Sequence, residues 1–352
     1  MAGSKFLPYI NHLRGLAIVL IVGIHCRTSF EWGKNYYQDK FWFSLIVYGT
    51  IVFVFISGFL FQHVNKTKFK FRDYIIKKIK YVVLPYFIVS TPAIINKLYF
   101  DSPEPWQSEF YNSLSILGKY FYMICTGKHM GPFWFIPMIT IVYIISPFLI
   151  YLDRSKYFYK YVFPIVFIGG LFLHDFGHNT SVVNSFLYFI PIYLLGIWSS
   201  KNAKAIVNLS WPRLTPFLII YVGIFMMEFL DILAIGKTYG FAEDARQNIY
   251  AFNFGKLKMI LVCLVLMNVL YRFNSSRFRS LDILAQYSFG VFFIHLYVIR
   301  SLEILIKHFL GNLNFNSVTF IVFLTTVTGL CILIVSITKR LLGRKSRYII
   351  GS

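Results

Sequence analysis

The chain has 352 residues, of which 57% are hydrophobic and 14% charged, and its formal charge is +21. So little polar surface cannot cover a soluble core of this size, which excludes an ordinary globular domain and places most of the chain in lipid. The cations are dispersed among short polar stretches rather than gathered in one polar domain, so they read as membrane topology and argue against a nucleic-acid partner.

A spanning helix needs about 20 predominantly apolar residues. Ten such segments follow one another, at 9–28, 41–62, 82–100, 133–152, 161–176, 183–200, 215–236, 255–272, 287–307 and 317–339. They have helical length and lack the alternation of barrel strands, so the expected fold class is all-α, a polytopic transmembrane bundle of about ten helices. The first apolar run has no small-residue cleavage site and is followed by further spans, so it is expected to stay in the protein.

Between the second and third segments lie Lys66, Lys68, Lys70, Arg72, Lys77, Lys78 and Lys80, whereas the stretch after the third holds Asp101, Glu104 and Glu109. The positive-inside rule places the 63–81 loop in the cytoplasm. Arg154, Lys156 and Lys160, then Lys201, Lys204 and Arg213, then Arg272, Arg277 and Arg279 fall on the same side, as does Lys339–Arg347. Both termini are therefore predicted cytoplasmic. Residues 1–340 read as one membrane domain and 341–352 as a short basic tail. Cys26, Cys125, Cys263 and Cys331 show no metal-type spacing, and no structural disulfide is expected.

Within the first segment, Arg14 and His25 are eleven residues apart. At about 100° per residue they share one helix face, about 16 Å apart along the axis. With the N-terminus inside, Arg14 lies near the cytoplasmic boundary and His25 well across the membrane. An arginine suits phosphate or a polarised oxygen, and a neutral histidine can take the proton of an attacking hydroxyl. Taken alone, the pair also fits an interfacial anchor and a hydrogen-bonded helix-end histidine. His295 falls mid-span, with Arg300 and Glu303 spaced as an i,i+3 pair. Glu228 and Asp231 read as partners for a buried cation or as acceptor-recognition groups. His174, Asp175 and His178 have too few companions for a metal site and read as a loop cluster, so no metal is expected.

His12-Leu13-Arg14-Gly15-Leu16-Ala17 followed by His25 resembles the Arg/Lys-x10-His signature of the acyltransferase-3 family of bacterial membrane O-acyltransferases. Phe53-Val54-Phe55-Ile56-Ser57-Gly58-Phe59-Leu60 is similar to that family's Phe-Phe-x-x-Ser-Gly-Phe-Leu segment, with Val54 for the second Phe. Lys77-Lys78-Ile79-Lys80 before Leu84-Pro85-Tyr86 resembles its basic Arg-x-x-Arg element, with lysines in place of arginines. Pro132-Phe133-Trp134-Phe135-Ile136 and Ser288-Phe289-Gly290-Val291-Phe292-Phe293-Ile294-His295 resemble two later segments in the same order.

The resemblance implies a ten-helix domain in the bacterial cytoplasmic membrane. It would move an acyl group, usually acetyl, from cytosolic acetyl-coenzyme A or another acyl-coenzyme A as co-substrate. The acceptor would be a hydroxyl of a cell-envelope glycan or glycolipid. Arg14 is then the donor-binding or catalytic arginine and His25 the general base. Arg72, Lys77, Lys78 and Lys80 would attract the coenzyme A phosphates, with anchoring to anionic lipid as their simpler role. Ser57, Trp134 and His295 would line the site. A polysaccharide transporter or export component is the competing expectation, since many helices and intramembrane charges also suit transport.

Overall fold

The computed structural model describes residues 6–65, 69–101, 107–174, 181–230, 232, 252–273 and 278–352. Asp175, His178, Asp231, Trp106, Lys66, Lys68 and Arg277 lie outside the described residues. Among the described residues every element longer than an isolated bridge is a helix.

In chain order, α1 (Pro8–Arg27) is followed by α2 (Tyr36–Ile46) and α3 (Gly49–Asn65). Next comes α4 (Phe71–Lys78), joined through a π turn at Ile79–Val83 to α5 (Leu84–Tyr99). Two short helices, α6 (Glu109–Ser113) and α7 (Ile116–Thr126), precede α8 (Phe135–Ile144) and α9 (Ser146–Arg154). A second π turn at Phe158–Val162 leads into α10 (Phe163–Gly170). The chain continues with α11 (Val182–Lys201), α12 (Ala203–Val207), α13 (Trp211–Phe229), α14 (Phe254–Arg272), α15 (Arg279–Leu310) and α16 (Ser317–Leu342). A 3-10 turn at Gly343–Lys345 and the single turn α17 (Ser346–Ile349) follow.

Among the described residues eight helical runs are long and apolar enough to cross a membrane: Pro8–Arg27, Tyr36–Asn65, Phe71–Tyr99, Val182–Lys201, Trp211–Phe229, Phe254–Arg272, Arg279–Leu310 and Ser317–Ile349. They coincide with eight of the ten expected segments, and the protein is a multi-pass membrane protein. The other two depart from the expected straight spans. The fourth is broken between α8 and α9 by a 57° bend. Pro147 has no N–H to offer the Tyr143 carbonyl, and the Ser146 hydroxyl donates to that oxygen instead, at 2.7 Å. The fifth, Phe158–Gly170, is a shorter apolar helix. At 1.5 Å per residue it covers about 20 Å, well short of a bilayer's hydrocarbon core.

Both π turns stand immediately ahead of a proline near the start of the next helix, Pro85 in α5 and Pro164 in α10. An extra residue in the turn relieves the clash of the proline ring with the preceding carbonyl row. The first of these turns follows Lys77 and Lys78 and so bears on the site described below.

Helix α1 is central, touching α2, α3, α14, α15 and α16. Its middle is apolar on every side, as a helix surrounded by others requires. Gly15 lets it approach α15 closely, since a Cβ there would lie 2.5 Å from the Leu281 carbonyl oxygen. Helices α3 and α11 meet through a glycine pair. A Cβ on Gly58 would collide with the Tyr193 carbonyl, and one on Gly196 with that of Phe55. Small residues that bring backbones together are how membrane helices associate when there is no water to drive them. All four cysteines are free thiols.

Candidate active site

Arg14 and His25 occupy one face of α1 but open into different spaces. Arg14 lines a cavity of 1140 Å³ walled by α1, α3, α4 and the 343–352 segment. His25 lines a smaller one of about 40 Å³, together with Thr50, Phe53, Pro132, Trp134 and Phe292. The smaller space admits a few water-sized groups. Phe53 lines both cavities, is buried, and packs edge-on against Phe135 with ring centres 6.2 Å apart. The expected single stripe is thus two chambers with one aromatic side chain in their common wall.

The large chamber is cationic. Lys70, Lys77 and Lys78 reach it from the α4 side, and Lys339, Arg344 and Arg347 from beyond α15. Among the residues lining it, Asp73 has the sole acidic side chain. From α4 and its π turn, Lys70, Asp73, Tyr74, Lys77, Lys78 and Tyr81 face inward at helical spacing. Arg72 on α4 and Lys80 in the π turn are exposed and do not line the chamber. The phosphate-binding set expected from the sequence is therefore only half assembled, through Lys77 and Lys78. Lys78 lies over the Tyr143 ring, 4.6 Å from its centre. Ser57 also lines the large chamber, with its hydroxyl donating to the Phe53 carbonyl at 2.9 Å.

Arg14 donates through Nη2 to the Ala285 carbonyl at 2.6 Å and to Asn11 Oδ1 at 3.4 Å. Asn11 in turn donates to Asp282 at 2.8 Å. Among the described residues no carboxylate pairs with the guanidinium directly, and its Nε has no hydrogen-bond partner. The group is held at one edge, and its remaining donors stay available to an anion.

At the far end, the His25 and His295 rings sit 5.3 Å apart, tilted by 45°. His295 lines neither chamber; it stands behind His25 on α15, fully buried. Its Nδ1 meets the carbonyl oxygens of Phe292 (2.8 Å) and Val291 (3.1 Å). Two carbonyl partners require that Nδ1 carry the proton, which leaves the lone pair on Nε2. Among the described residues Nε2 has no hydrogen-bond partner. Gly131 flanks His25 on another side; a Cβ there would stand 3.4 Å from its Cε1. The loop that carries Gly131 turns on Gly127, whose φ is +70°. Trp134, at the end of the same loop, stacks on Phe189 with ring centres 5.4 Å apart.

The expected Arg300–Glu303 pair does not form among the described residues, and Arg300 is exposed. Glu228 pairs with Lys258, and the Ser44 hydroxyl donates to the same carboxylate. Lys256 and Lys258 were not singled out in the sequence. Two lysines inside an otherwise apolar span are signal enough to find them. Among the described residues no cluster of potential metal ligands occurs.

The sequence model for the acyltransferase domain of this type matches residues 7–336. The chain belongs to the acyltransferase-3 family. This membrane acyltransferase is also similar to proteins of Staphylococcus aureus strains MRSA252 and MSSA476, each named a probable poly-beta-1,6-N-acetyl-D-glucosamine export protein. Each is 20% identical over 349 residues, covering 94% of this chain and 92% of the relative. No solved structure matches the acyltransferase.

Proposed function

We propose that the protein transfers an acyl group, acetyl in the first instance, from acyl-coenzyme A to a hydroxyl of a cell-envelope polysaccharide or lipid-linked glycan. The observation that carries this reading is the division of α1 between two chambers, with Arg14 in a large cationic one and His25 in a small one beyond Phe53. The large chamber would face the cytosol of a bacterium and receive the donor, whose phosphates suit Lys77, Lys78 and Arg14. About 16 Å of helix separates Arg14 from His25, comparable to an extended pantetheine arm. The acceptor oxygen attacks the thioester carbonyl carbon while His25 takes the hydroxyl proton. The carbon–sulfur bond then breaks, and coenzyme A leaves as a thiol with that proton. His295, whose ring packs beside that of His25, would act by holding the base in position.

The test is acetyl-coenzyme A consumption by the purified protein supplied with envelope glycan. His25→Ala and Arg14→Ala are each expected to lower turnover by about 100-fold or more, and His295→Phe to lower kcat with little change in KM. Unchanged turnover in the first two variants would remove the mechanism. The names of the Staphylococcus aureus relatives favour a second reading, glycan export. Glycan movement into vesicles without loss of acyl donor would select it.

A further inference from the structure

The segment after α16 is a folded part of the large chamber. The buried Ser346 hydroxyl lies between the carbonyls of Gly343 at 2.8 Å and Ser352 at 2.5 Å. Ile350 is buried, and Gly351, with φ +73°, fits against Phe289, where a Cβ would stand 2.5 Å from Cδ1. Tyr348 stacks on Tyr81 of the π turn with ring centres 5.5 Å apart, and the Arg347 guanidinium lies 4.4 Å from the centre of that same Tyr81 ring. The segment is thereby docked on the π turn that follows Lys77 and Lys78, and Arg344 and Arg347 line the same chamber as those lysines.

The charge pattern points to a ligand. Elsewhere four cations have carboxylate partners, Arg27 with Asp39, Lys97 with Asp101, Lys201 with Asp153 and Lys258 with Glu228, and the buried Lys256 is held by the carbonyls of Gly170 and Tyr188. Among the described residues, none of the cations lining the large chamber has one, and Asp73 is paired with none of them. Like charges gathered around one cavity repel unless an anion joins them.

We infer that residues 343–352 form the second jaw of a polyphosphate site. Arg344 and Arg347 would hold the phosphorylated nucleotide end of the donor against Lys77 and Lys78, with the Tyr81–Tyr348 stack at its edge. The inference rests on the acyl-coenzyme A reading above and assigns it a jaw that the sequence resemblance does not contain. Arginine forks bind phosphate in two-point contacts that the lysines of α4 cannot supply.

The experiment measures binding of coenzyme A, dephospho-coenzyme A and pantetheine to the full-length protein in detergent, free of lipid anions. In the native protein coenzyme A is expected to bind tightest and pantetheine weakest. The Arg344→Ala/Arg347→Ala variant is expected to weaken coenzyme A binding on the order of tenfold or more. It should also narrow the ratio between coenzyme A and pantetheine. Gly351→Val, which undocks the segment without touching either arginine, should narrow the same ratio. An unchanged ratio in both variants would show the arginines to be lipid anchors only and overturn the jaw while leaving the donor reading intact. Absence of coenzyme A binding to the native protein would overturn both, and tight binding of inorganic diphosphate in that case would redirect the site to a diphosphate-linked carrier.

Discussion

Lys258 and Glu228 are exposed by 0% and 1%, and each is the other's reason for being charged in the bundle interior. Removing one partner strands the other in a low dielectric, whereas removing both leaves a space that apolar side chains can fill. Lys258→Met alone is expected to destabilise the protein by about 3 kcal/mol, and Lys258→Met/Glu228→Met to recover most of that loss in thermal unfolding measured in detergent. A double variant no more stable than the single would deny the pair its structural role. At this scale the sequence is informative where a charge interrupts an apolar run. Arg14, His25 and Glu228 are legible that way, and Glu228 finds the buried cation expected of it. Arg72 and Lys80 do not line the chamber that Lys77 and Lys78 line, a division that four cations in nine residues do not reveal until the helical run is packed. Arg344 and Arg347 read as a tail for a related reason. Three basic residues among small and apolar ones carry no periodicity, and it is the Tyr81–Tyr348 contact that docks them.

Helix by helix, length and apolarity suffice to locate the bundle but not to say where a span breaks. The 133–152 run passes every test for a straight span, yet Pro147 removes the bond that continuity needs and Ser146 satisfies the oxygen left over. Phe158–Gly170 is shorter than expected, and the lysine of α14 that draws up to its end, Lys256 at 2.6 Å from the Gly170 carbonyl, is a tertiary feature. Glycine pairing is legible only in part. Ser57-Gly58 signals close packing, but its partner helix does not appear until Gly196 is placed opposite. Gly58→Val forces two backbones apart and is expected to cost about 1–3 kcal/mol, as overpacking does. Gly223→Val, at a position with nothing within 4 Å of a Cβ, should leave the unfolding temperature unchanged. Equal losses in both variants would assign the effect to helix propensity instead of contact.

Taken whole, the molecule arranges its charges by purpose. Ion pairs hold α13 to α14 and the end of α1 to α2, whereas the chamber that holds Arg14 is lined by cations without carboxylate partners. The sequence resemblance supplies the order of the motifs, but the two chambers arise only because α1, α3 and the 127–134 loop converge on Phe53. Shortening that residue should join them. Phe53→Ala is expected to raise release of coenzyme A from acetyl-coenzyme A in the absence of any acceptor, because water then reaches the thioester along the acyl path. Release equal to that of the native protein would mean that other side chains close the gap. The same ring has an electrical consequence. A membrane that stores energy as a voltage and a proton gradient must stay closed to protons. On the acyl-transfer reading, one phenyl group, neutral and unable to relay a proton, stands between the two chambers and would keep that passage closed.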